Sequence, residues 1–132
     1  MEKEFIPYTE SLALKELGFD EGCFSLYFNN GEFSNFIHSF TVNSEVVEKT
    51  SSILAPTFSQ AFRWFREKYV LFAEITLCGD GLGYISMIKE IKQEEFIEVY
   101  KKDIVDTLLP IWKYEEAELE CLKKLIEIVK NK

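Results

Sequence analysis

The chain has 132 residues, 47% of them apolar and 29% charged, which is the length and balance of one folded domain and excludes a disordered tract. Its formal net charge is −8, from 23 acidic and 15 basic residues, and its only arginines are Arg63 and Arg66; direct nucleic-acid binding, which draws on surplus Lys and Arg, is not expected. No apolar run nears the ~20 residues of a membrane helix, so no membrane span is expected.

The first element is a short helix. Thr9 is placed to cap it, Leu12, Ala13 and Leu17 give part of an apolar stripe, and Gly18 suits a left-handed stop, with Phe19 packing back beyond it. A hairpin follows: Cys23 to Phe28 is rich in strand formers, Asn29-Asn30-Gly31 suits positive φ, and Glu32 to Phe40 alternates imperfectly. Residues 41–53 are mixed, with Ser44 as a candidate cap for a short helical turn.

Pro56-Thr57 is clear punctuation. Thr57 and Gln60 have the spacing of a capping box, and a helix is predicted over Phe58–Tyr69. Phe58, Ala61, Phe62, Phe65 and Tyr69 form its apolar face, with Arg63, Arg66 and Glu67 turned away from it. Leu71–Cys78 and Tyr84–Lys92 read as paired strands around Gly79-Asp80-Gly81-Leu82-Gly83. Residues 94–109 are open between two readings. The repeat Phe96, Tyr100, Ile104, Leu108 favours helix, and a strand through Phe96–Tyr100 is the alternative. Pro110 ends either one. The last helix spans Tyr114–Val129 and buries Leu119, Leu122, Leu125, Ile126 and Val129, with acidic residues in its first turn and lysines later, as the helix dipole favours. The expected architecture is a single α+β domain, a mainly antiparallel sheet of about four strands with three or more helices packed on it.

Chemical motifs weigh less than they first suggest. Gly79 to Gly83 is Gly-x-Gly-x-Gly, but a strand follows it where a dinucleotide site needs a helix N-terminus, so it reads as a hairpin turn. His38 is the sole histidine and would lie opposite Cys23 if the first hairpin paired tightly, yet the flanks look like core and strand edge and no oxyanion signature accompanies the pair, so it reads as an ordinary half-buried histidine. The cysteines Cys23, Cys78 and Cys121 are widely spaced and form no zinc motif; Cys121 reads as a small core residue. No secretory segment is recognised at Met1-Glu2-Lys3-Glu4, so reduced thiols in a cytoplasm are expected. Glu94-Glu95 and Glu115-Glu116 read as solvated faces, with nothing local to separate their pKa values. Neither a catalytic set, a cofactor site nor a metal site is expected.

The stretch Arg63-Trp64-Phe65-Arg66-Glu67-Lys68-Tyr69 is the candidate partner-binding site. With Phe65 and Tyr69 turned inward, Arg63, Trp64 and Arg66 are left near the surface, and these residue types dominate interface hot spots. Two plainer readings are a solvated helix face, and Trp64 sealing the domain against the loop before Pro56.

Three blocks, Leu12–Glu21, Leu54–Tyr69 and Tyr114–Ile126, together resemble small phage- and prophage-encoded accessory proteins, mostly of unknown function. The resemblance implies a non-enzymatic, protein-binding product of a mobile element. By association it points to an anti-CRISPR protein: an inhibitor of a host CRISPR effector nuclease or its guide-RNA complex, with a type VI-B RNA-guided RNase as the most specific form. A host-takeover or regulatory adaptor is the alternative. The family brings no catalytic motif, and residues 79–112 match none of its blocks.

Overall fold

The computed structural model describes residues 4–34, 52–77, 79, 83–105 and 113–132. The strand expected to reach Phe40, the Ser44 cap, His38, Cys78 and most of the 79–83 turn lie outside the described residues. The chain separates into two compact units, Met1–Gln60 and Ala61–Lys132.

The first unit holds α1 (Tyr8–Glu16) and three short strands, β1 (Ser25–Tyr27), β2 (Phe33–Ser34) and β3 (Ile53–Ala55), in an antiparallel sheet of order β2-β1-β3. The cap expected at Thr9 is instead Pro7, which makes no side-chain bond. Its fixed φ suits the entry to a helix, and its carbonyl accepts the Ser11 N–H at 2.8 Å. The stop is at Gly18, as its permissive backbone suggests: φ is 95° there. The Gly18 N–H bonds Lys15 O and the Phe19 N–H bonds Leu14 O, which satisfies two of the carbonyls a helix end orphans. The buried face differs from the expected stripe. Ser11 and Leu14 are buried while Leu12, Ala13 and Leu17 are half-buried, because the Ser11 hydroxyl donates to Ile6 O at 3.1 Å. Tyr27 Oη donates to the same carbonyl at 2.8 Å, and the Ile6 N–H bonds Pro56 O. Ile6 is thus the point where chain start, α1, β1 and the loop after β3 meet. The turn after β1 forms at Asn29-Asn30-Gly31: Gly31 has φ 87°, its N–H bonds Phe28 O, and Asn30 Oδ1 accepts the Glu32 N–H.

The capping box forms as read. Thr57 Oγ1 accepts the Gln60 N–H at 3.2 Å, and Gln60 Oε1 accepts the Thr57 N–H at 3.0 Å. It opens α2 (Phe58–Tyr69), which carries the chain into the second unit. There, β4 (Leu71–Leu77), β5 (Gly83–Lys92) and β6 (Glu95–Val105) form an antiparallel sheet of order β4-β5-β6, followed by α3 (Lys113–Lys130). The class is α+β, but the strands fall into two three-stranded sheets rather than mainly one of about four. Among the described residues the strands of the first sheet are two or three residues long, while the second is built from strands of seven to eleven residues. Residues 94–109, open between helix and strand, supply β6 over their described part, where β-branched and aromatic side chains pair with β5.

α3 packs on this sheet, mainly on β5. Ala117, Cys121, Leu122 and Leu125 are fully buried, with Ile126 and Val129 nearly so. Leu119, expected in that stripe, is half-buried, and Cys121 is core as read. Ser86 and Ile88 of β5 are buried beneath the helix.

Candidate interaction surface

Pairing register divides the second sheet into two faces. Tyr84, Ser86, Ile88 and Glu90 alternate on the face beneath α3: Tyr84 meets Tyr114 edge-on at 5.2 Å, and Glu90 meets Lys132 at 2.8 Å. On β6, Lys102 meets Glu120 and Tyr100 lies under Lys124, so they share that face. The opposite face carries Phe72 and Glu74 of β4 and Ile85, Met87, Lys89 and Ile91 of β5. Lys89 pairs with Glu74 across it at 3.4 Å.

The hairpin joining β5 to β6 extends this open face to an apolar end. Phe96 lies opposite Ile91 and meets Phe72 edge-on, ring centroids 5.5 Å apart. It is nonetheless 62% exposed; Ile97 and Val99 further along the strand are 43% and 37% exposed, with Ile97 opposite Glu90 and so on the other face. Beside the Phe72–Phe96 pair runs a shallow groove of about 310 Å³, lined by those two rings with Ala73, Glu74 and Lys89. An exposed aromatic pair rimmed by charge is the composition of a contact surface rather than of a solvated hairpin. The two-residue turn, Gln93-Glu94, has φ 52° and 67°, the geometry that matches the twist of paired strands.

On α2, Arg63 and Arg66 are exposed. Trp64 is not: it is 6% exposed, a correction to its expected place near the surface. The buried arc of the helix is Phe58, Ala61, Trp64 and Phe65, while Phe62 and Tyr69, expected inside, are half-buried. The indole meets Phe65 and Tyr69 edge-on at 5.0 and 5.4 Å, and the Lys68 ammonium lies 5.0 Å above it. Five large aromatics on one short helix leave the apolar arc undetermined by spacing alone, and the indole, the largest of them, takes the inner position.

Two thiols are buried in the core. Burial pushes the Cys23 thiol up to about 12, with the Glu21 carboxylate adding to the shift. Burial also pushes the Cys121 thiol up to about 11, with the Ser86 hydroxyl offsetting part of it. Both are protonated at neutral pH, the opposite of an activated nucleophile. Among the described residues no three His, Cys, Asp or Glu side chains gather as metal ligands, and no helix is long and apolar enough to cross a membrane. Glu115 and Glu116 are exposed on α3, and Glu94 and Glu95 at the hairpin end.

The hairpin surface was missed by sequence reading. Its signal, Phe96-Ile97-x-Val99 between glutamates, is masked by the four-residue repeat that favoured a helix. No protein family, curated protein or solved structure matches the chain.

Proposed function

We propose that this chain acts by binding a protein, with the end of the β5–β6 hairpin as its principal contact, and that binding rather than a reaction is its activity. One observation carries the reading: Phe96 stands 62% exposed on the open face against Phe72, beside a shallow groove, where burying it against a partner returns about 25 cal/mol per Å² of apolar surface. The acidic balance of the chain favours a partner with a basic surface around an apolar pocket, and would speed encounter with it.

The resemblance to phage-encoded accessory proteins narrows the partner to a host CRISPR effector nuclease or its guide-RNA complex, whose RNA channel is necessarily basic, within the cytoplasm of a bacterial host. Arg63 and Arg66 supply a second contact on α2, with Trp64 fixing the helix from beneath rather than touching the partner. A pull-down with purified RNA-guided nucleases, with and without guide RNA, tests the reading. Retention at low salt, lost in Phe96→Asp and reduced by Arg63→Ala with Arg66→Ala, is expected. Failure of every effector to be retained removes the nuclease class and leaves the host-takeover adaptor.

A further inference from the structure

The outer edge of β6 presents a pattern that the open face does not explain. The strand is eleven residues long, and among the described residues it pairs on one side only, with β5. An unpaired edge of that length is a template for another strand. Glu95 to Val99, Lys101 and Lys102 along it are exposed.

A bulge interrupts this strand. Ile88 of β5 pairs with Tyr100, but the next residue, Lys89, pairs with Glu98, leaving Val99 as the extra residue. In an unbroken strand, Glu98 and Lys101, three apart, would lie on opposite faces. The bulge shifts the alternation by one. Glu98 now lies opposite Lys89 and Lys101 opposite Met87, so both belong to the open face.

This has a consequence for a second copy of the chain. An antiparallel two-fold pairing centred on Tyr100, with Val99 bulged out in both copies, sets residue 98 of one copy against residue 101 of the other. Directly opposed residues must share a face, and only because of the bulge do these two. Opposite charges then face each other twice across the axis, and such a contact is self-complementary, as a two-fold interface requires.

We infer that the chain forms a weak two-fold dimer by antiparallel pairing of β6 edges, joining two three-stranded sheets into one of six. Local Glu98–Lys101 pairing offsets the mutual repulsion of two acidic chains, and Ile97 and Val99 gain cover at the seam. The inference does not depend on the partner reading, since self-association is measured with no partner present.

The test is a charge-swap series followed by sedimentation equilibrium. The unaltered chain should dimerise with a Kd below roughly 100 µM, and Glu98→Lys or Lys101→Glu alone, each placing like charges across both positions, should weaken it tenfold or more. Mixing the two singly substituted chains puts opposite charges across both positions, so heterodimers should form with near-original affinity. Both sites are exposed, and circular dichroism confirms folding of each variant. A chain that stays monomeric throughout this range, or variants that dimerise unchanged, or a mixture that fails to associate, would overturn the inference.

Discussion

Val70 holds a φ of 57° between α2 and β4, a left-handed conformation that a β-branched side chain adopts at a cost of ~1–2 kcal/mol. It is 41% exposed, so little packing is lost on truncation. Val70→Gly is therefore expected to stabilise the protein by about 0.5–1 kcal/mol, after the extra unfolded-state entropy of glycine is subtracted. Thermal melting reads this directly, and a lower midpoint would show that the valine side chain contributes more than its strained backbone costs. The buried thiols give a second expectation at this scale. Cys23 and Cys121 have folded-state values pushed up to about 12 and about 11, against ~8.5 for an unperturbed thiol. A raised acid keeps its proton in the folded state while the unfolded chain gives it up. Stability should thus be full below about pH 8 and fall as pH rises between the unfolded and folded values. Native protein at pH 8 should leave both thiols unmodified by a disulfide reagent, with reaction only on unfolding. Fast modification of either in the folded state would show that it is not core.

At the scale of elements, the turn between β5 and β6 stands out. Hairpins of two residues with positive φ at both positions favour Asn-Gly, and Gln93-Glu94 offers neither. Gln93→Asn with Glu94→Gly should stabilise by about 1–2 kcal/mol by relieving two left-handed side chains, and an unchanged denaturation midpoint would contradict the turn geometry. The same mismatch explains why the hairpin was hard to read. The first hairpin advertises itself through Asn29-Asn30-Gly31, and α2 through Thr57 and Gln60, because in each case the residues that make the bonds are those the local geometry prefers. β6 lacks a turn signal, and the bulge at Val99 breaks its alternation, so Phe96, Tyr100 and Ile104 fall at helical spacing. The inward rotation of α2 toward Trp64 was equally illegible: aromatic residues lie on both sides of the true arc. Helix α3, by contrast, follows from its own periodicity. Leu122 is fully buried, and Leu122→Asp should abolish the cooperative transition, since an unpaired buried charge costs several kcal/mol against a total stability of about 5–15 kcal/mol. A variant that melts like the parent would show that this face of α3 is open.

For the whole molecule, charge and exposed apolar surface would divide the work of the proposed binding. The excess of eight negative charges acts on encounter and should fade as ionic strength rises past ~0.15 M, where the Debye length is about 8 Å. The hairpin end acts on dissociation, and its contribution should persist in salt. The most direct test sets unaltered protein and Phe96→Asp side by side in quantitative co-purification from a bacterial lysate at about 0.15 M salt, with matched melting temperatures as the control. A specific bacterial protein should be enriched with the unaltered chain and depleted at least tenfold with the variant, about 1.4 kcal/mol or more of lost affinity. Equal recovery of that protein by both chains would contradict the hairpin as the contact surface.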